Sequence, residues 1–334
     1  MKLVSYLQND RENVGLYHEN TVYRLQDLHK DLPNNILILL AHWEEYFPML
    51  AGLNNELVQG KQYRHLGQNA GSVTILAPVP APVSCRDAYA FRQHVATSRM
   101  NRGLPMIEAF DQFPVFYFTN HNAIQGPGNV WCMPDHFQKL DFELECAIVI
   151  GKTGRNILAR DADEYIAGLM VMNDISARLL QMEEMQLNLG PAKGKDFATS
   201  FGPWMVTLDE LAAYETATAN GHTGKTWDLE MACYVNDVLV SKGNLADMNW
   251  TFAEIIERAS YGVTLYPGDV IGSGTVGTGC FLELNGTGKR SNENYTEQWL
   301  QPDDVVKMTI TGLGNLVNTM KLENTTHSIL ALKK

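Results

Sequence analysis

The chain has 334 residues, 45% of them hydrophobic and 19% charged, which suits a globular protein with one large and one smaller domain. Its formal net charge of −12 repels nucleic-acid backbones and anionic membranes, so neither is an expected partner, and it suits a chain that holds a divalent cation. Five scattered cysteines without a CxxC pair exclude a disulfide framework or a zinc knuckle and point to a reducing, cytoplasmic setting; the start MKLVSYLQNDREN is too polar for a signal peptide.

From the N-terminus, MKLVSYL reads as a strand and GLYHENTVYRL as a hairpin turning at His18-Glu19-Asn20. Residues 36–57 place apolar side chains at helical spacing, with one proline interruption. The stretch VTILAPVPAPV, residues 73–83, holds Pro78, Pro80 and Pro82, which neither a helix nor a central strand tolerates. It marks a boundary between a small N-terminal domain, 1–80, and a large one, 81–334. Residues 87–102 are expected to be helical, 114–119 and 142–150 to be strands. A short helix over 162–169 leads to a strand over 170–174, and a helix follows over 176–187. Residues 227–241 alternate and carry Asn236-Asp237, a hairpin signal. A helix is expected over 251–260, then mostly strand and turn over 263–320. Strands dominate and βα alternation is sparse, which predicts a β-rich α+β fold rather than a doubly wound sheet. No apolar run approaches the roughly 20 residues needed to cross a membrane.

The segment KLDFELECAIVIG carries Asp141, Glu143 and Glu145 at every second position. At a rise of about 3.3 Å per residue, neighbouring carboxylates of a strand would stack roughly 6.6 Å apart on one face. Two readings fit. The acids are a solvated face of an edge strand, charged against aggregation; or they converge on a cation. Asp87, opening DAYAFRQH, and Asp174, closing GLMVMND, are the other acids at element ends. Four carboxylates are hard ligands that suit Mg²⁺, Ca²⁺ or Mn²⁺ rather than zinc or copper. Asp141 is one acid more than needed and is read as a supporting or surface group.

The stretch Gly272-Ser-Gly-Thr-Val-Gly277 fits GxGxxG. A dinucleotide loop needs a helix after it, and the sequel TGCFLELNG reads as strand and turn, so no nucleotide is expected. The glycines instead let backbone pass close to a substrate, with Thr275 offering its hydroxyl.

DAYAFRQH, DFELECAIVIG, GLMVMNDISAR, LGPAKGKDF and GSGTVGTGCFLEL occur in that order over residues 87–284. Together they resemble the fumarylacetoacetate hydrolase family. The resemblance implies a metal held by Asp87, Glu143, Glu145 and Asp174, with Thr199 beside it. It implies His94 as catalytic base, Glu283 as the acid that orients it, and Lys195 as a catalytic cation. Tyr89, Tyr117, Gln181 and Thr275 match residues that meet substrate. There are departures: one extra residue between Asp174 and Lys195, Met185 where the family can carry a tyrosine, and a displaced arginine for which Arg99 or Arg102 can serve. The family includes hydrolases of β-diketo acids, acylpyruvate hydrolases, isomerases and decarboxylases. The small-molecule substrate implied first is fumarylacetoacetate, from tyrosine breakdown. A homodimer is implied too, with the N-terminal domain capping or positioning the site of the other subunit. In the implied chemistry a Mg²⁺-type ion polarises the substrate carbonyl, His94 with Glu283 activates water, and Lys195 with Gln181 steadies the leaving carbanion.

Overall fold

Alternation along residues 144–150 resolves into two apolar faces, and this decides the architecture. The computed structural model describes residues 1–60 and 63–333. The strand Leu144–Ile150 is buried throughout and lies inside a 12-stranded sheet. It pairs antiparallel with Ile166–Asp174 on one side and Val270–Gly272 on the other. Beyond these lie Thr199–Val206, and then Cys85–Ala88, parallel to Val270–Gly272, with Phe116–Thr119 at the edge. The N-terminal strands Lys2–Gln8, Arg11–His18 and Thr21–Arg24 continue the same sheet through the pairs Lys2↔Val206 and Leu3↔Met205. A five-stranded sheet runs in the order Val238–Asn244, Glu230–Val235, Val305–Ile310, Gly314–Leu322, Gly128–Cys132.

One face of the long sheet, with Cys146, Ile148, Ile150, Leu169 and Val171, packs on the five-stranded sheet and on the helix Phe252–Ser260. The other face, with Ala147, Val149, Met170, Met172, Phe201 and Met205, packs on N-terminal side chains such as Leu39, Leu40, Leu50 and Leu57. These come from the helices Ile36–Ala41 and Trp43–Val58, the second of which contains Pro48. The N-terminal segment therefore covers its own chain's sheet.

The strand-rich α+β expectation holds, and the two-residue turn at Asn236-Asp237 forms with both residues at positive φ, 49° and 63°. Three local expectations are corrected. Residues 87–102 begin as strand, Cys85–Ala88, and turn helical only over Arg92–Met100. The expected helix over 162–169 is cut short, because the buried strand already starts at Ile166. The stretch FLEL is not strand: it opens the helix Phe281–Ser291. The helix Phe252–Ser260 carries a full capping box between Thr251 and Glu254. Thr251→Ala is expected to lower unfolding free energy by about 1 kcal/mol in urea titration, from lost capping alone.

Candidate active site

Strand periodicity of two carries each apolar row of the N-terminal-facing side to a polar end, acidic in all but one strand. Val149 and Ala147 lead to Glu145 and Glu143, Met170 and Met172 to Asp174, Cys85 to Asp87, and Met205 and Phe201 to Thr199. Gly272, on the strand between Glu145 and Asp87, leaves the room: a Cβ there would lie 2.5 Å from Asp87 Oδ1. Gly274, at φ +78°, turns its amide onto the same oxygen at 3.1 Å. Asp87, Glu143, Glu145 and Asp174 each present an oxygen, and these atoms lie within 4.8 Å of one another. All four are buried, Glu145 and Asp174 completely. That removes the solvated-edge reading of Glu143 and Glu145.

The charges are unevenly compensated. Lys195, on the short helix Ala192–Lys195, is buried and bonds Glu143 and, at 2.7 Å, Asp174 Oδ2. Burial pushes the Glu143 carboxyl up, but Lys195 and Arg178 outweigh it and hold the group at about 2. Asp87 and Glu145 have no such cation. Burial and the Asp174 charge raise Asp87 to about 8, and burial with the Asp87 charge lifts Glu145 well above the carboxylate range. Burial also raises Asp174. Glu145 Oε2 is buried with no hydrogen-bond partner, while Oε1 accepts from Thr275 Oγ1 at 3.2 Å.

Arg178 is the site residue that sequence reasoning passed over. It sits fully enclosed, donating to Asp141 Oδ2 (2.8 Å), Glu143 Oε1 (2.7 Å) and Gln181 Oε1 (3.0 Å). Its place inside the quoted GLMVMNDISAR was the available signal. Asp141, expected as support or surface, is completely buried.

His94 lies in the first turn of Arg92–Met100 and Glu283 in the first turn of Phe281–Ser291. The two helices pack together and bring His94 Nδ1 to 2.6 Å from Glu283 Oε2, both residues buried. Tyr89 stands edge-on to the His94 ring at 5.8 Å; burial pushes its hydroxyl up to about 12, against the nearby charge of Arg102. Tyr117, on the edge strand, donates to Asp174 Oδ2 at 2.5 Å, and Thr199 Oγ1 stands 3.5 Å from Asp174 Oδ1. Both thus meet a carboxylate of the cluster. Arg99 is tied by Nε to the Pro105 carbonyl, while Arg102 is exposed and held to the Ser98 carbonyl. Of the two, Arg102 is the one whose charge reaches Tyr89.

The GxGxxG loop proves to be followed by a helix after all, so the ground for dismissing it changes. The amides of Phe281 and Leu282, which open that helix, donate to Asp141 at 2.7 and 2.9 Å. The protein's own carboxylate takes the place a phosphate would need.

A family model described as the C-terminal part of fumarylacetoacetate (FAA) hydrolase matches residues 84–321. The chain belongs to the fumarylacetoacetate hydrolase family. The "Fumarylacetoacetate hydrolase domain-containing protein 2 homolog" of Dictyostelium discoideum is 26% identical over 330 residues, 96% of this chain and 97% of that protein. "Oxaloacetate tautomerase FAHD2B, mitochondrial" of Bos taurus is 32% identical over 249 residues, 74% of this chain and 69% of that one. The fumarylacetoacetase of Oryza sativa subsp. japonica is 32% identical, but the match spans 52% of this chain and 46% of the enzyme's length. Among solved structures, fumarylacetoacetate hydrolase from Exiguobacterium antarcticum matches with a TM-score of 0.67 and 25% identity, covering 97% of this chain and 100% of that one. The relatives' names span hydrolysis and tautomerisation, so membership makes the chain an enzyme of this family without choosing its reaction. Among the described residues no helix is long and apolar enough to cross a membrane.

Proposed function

We propose that this chain is a divalent-cation-dependent hydrolase that cleaves a carbon–carbon bond of a β-diketo acid, with fumarylacetoacetate as first substrate. Fumarate and acetoacetate would be the products, at the end of tyrosine breakdown. The observation that carries the reading is the buried 2.6 Å contact between His94 and Glu283 beside the acid cluster. The pair supplies the general base that hydrolysis needs to activate water.

The donor set fits a hard divalent cation. Four buried carboxylates converge, two of them lack a balancing cation, and one oxygen of Glu145 has no partner. Asp87, Glu143, Glu145 and Asp174 would hold the ion, Mg²⁺, Ca²⁺ or Mn²⁺, with Thr199 and Tyr117 steadying Asp174. When bound, the ion supplies Lewis-acid polarisation of the substrate's oxygens and charge against the developing anion. The remaining work belongs to side chains. Glu283 accepts from His94 Nδ1–H, which leaves Nε2 free to take a proton from water. Lys195, kept charged by Asp174 and Glu143 despite burial, and Gln181, oriented by Arg178, face the carbanion as it leaves. Tyr89, Arg102 and Thr275 border the substrate. We assign the site to residues 81–334 and a covering role to 1–80, place the enzyme in the cytoplasm from its scattered cysteines, and take it as a homodimer on the strength of the resemblance.

A second reading, oxaloacetate tautomerisation, is favoured by the longer match to the Bos taurus protein. A third, ion binding without turnover, leaves His94 and Glu283 unused. Loss of fumarylacetoacetate absorbance, and in parallel of the oxaloacetate enol, would be followed with cation-stripped and cation-restored protein. Cation-dependent loss of fumarylacetoacetate is the expected result. Loss of the oxaloacetate enol alone establishes the tautomerase; inertness towards both, with a raised Tm on adding cation, establishes ion binding.

A further inference from the structure

Asp141 sits where two halves of the site meet. Its Oδ1 accepts from the amides of Phe142 (2.9 Å) and Phe281 (2.7 Å), its Oδ2 from the Leu282 amide (2.9 Å) and Arg178 Nε (2.8 Å). Phe281 and Leu282 open the helix whose third residue, Glu283, holds His94. The guanidinium of Arg178 grips Glu143 and Gln181 with its two remaining nitrogens. One completely buried carboxylate thus bonds both the water-activating side and the acid-cluster side.

We propose that Asp141 is a positioning residue, which sets the His94–Glu283 pair relative to Arg178, Gln181 and Glu143. The proposal rests on the reading of His94 and Glu283 as the water-activating pair. Chemistry explains why the residue is an aspartate. All four neighbours are donors, so each oxygen must accept two bonds, which a carboxylate does and an amide cannot. In Asp141→Asn the remaining oxygen still serves the amides of Phe142 and Phe281, but the NH₂ faces Arg178 and the Leu282 amide donor to donor. Displacement of a catalytic group by about 1 Å can cost about 10²-fold in rate, so a misplaced Arg178 is felt in turnover.

The test compares Asp141→Asn and Asp141→Ala with wild type, all cation-loaded. Three readouts are taken: kcat and KM on whichever substrate the wild type turns over, Mn²⁺ affinity, and the His94 Nδ1 proton in ¹⁵N-histidine spectra, assigned with His94→Ala. In Asp141→Asn, kcat should fall roughly 10²-fold while KM and Mn²⁺ affinity stay within about threefold and the His94 signal persists. In Asp141→Ala the hydrogen-bonded His94 proton should be lost as well. If both variants lose only Tm, with wild-type kcat per folded enzyme and an unchanged His94 signal, Asp141 holds the fold and positions nothing. If the alanine variant does not fold, the asparagine variant decides by its kcat. A wild type inert to both substrates refutes the hydrolase reading separately, and the His94 signal of Asp141→Ala then still confirms or overturns the positioning role.

Discussion

Stripped of divalent cations, the protein should bind Mn²⁺ at pH 7 with release of at least about one proton per ion, and with release of fewer protons as the pH is raised through about 8. The reason is how the four acids are compensated. Glu143 and Asp174 have Lys195, and Glu143 has Arg178 besides. Asp87 and Glu145 have only a backbone amide and the Thr275 hydroxyl. Without an ion these two cannot both stay charged in a dry site, so Asp87 is pushed to about 8 and Glu145 well above the carboxylate range. An arriving cation replaces what they hold. The same shift fixes a stability profile. A carboxyl raised above its unfolded value of about 3.9 contributes its full share below that pH and loses it as pH rises through the folded value. The Tm of cation-free protein should therefore fall between about pH 4 and pH 8, and that of loaded protein should stay level across the upper part of the range. At an ion concentration 100-fold above Kd the loaded form gains about 2.7 kcal/mol. Calorimetry in two buffers of different ionisation enthalpy counts the protons, and scanning calorimetry follows Tm. Binding at pH 7 without proton release would mean that the ion sits elsewhere than on these acids.

Four of the acids were legible because strand alternation is a local rule. Glu143 and Glu145 announce themselves in FELE, and Asp87 and Asp174 stand at the ends of apolar runs. Their convergence is the consequence of sheet order, which places the rows of Met172, Ala147 and Cys85 on one face. Arg178 stood inside GLMVMNDISAR, but the role of Asp141 was not legible, since nothing local says that the start of a helix more than a hundred residues on will come to rest on it. The helix Phe281–Ser291 misled for a related reason. FLEL follows Cys280 as an apolar run broken only by Glu283, which suits a strand, and Gly286 and Gly288 lower helix propensity. Packing overrides both: a Cβ at Gly286 would meet Asn101 at 2.5 Å, so the glycine lets this helix approach the one that carries His94. The strand beginning at Ile166 was read four residues late because its opening IAGL suits either element, and only pairing with Ile150 and Gly168↔Val149 decides it.

Replacing His94 by alanine should lower hydrolysis of the β-diketo acid by about 10²–10⁴-fold, the usual worth of a positioned general base. Mn²⁺ affinity should hold, because His94 is not one of the four converging acids. Glu283→Gln should have a smaller effect of the same kind. The amide can still accept from Nδ1–H, so the tautomer survives, but it gives less support to an imidazolium that forms at 2.6 Å. Asn101 reaches the Glu283 carbonyl at 3.0 Å, which keeps the helix start in place in that variant. Enol–keto exchange of oxaloacetate, if the chain performs it, needs no activated water but does need a proton carrier, so it should survive His94→Ala within about tenfold where another group such as Lys195 carries the proton. The two activities measured on the same His94→Ala preparation therefore separate the readings. Loss of hydrolysis with retained tautomerisation places the water-activating step at His94. Retained hydrolysis would remove His94 from the reaction, and Lys195, whose amine lies against Glu143 and Asp174, would become the group to test as proton carrier.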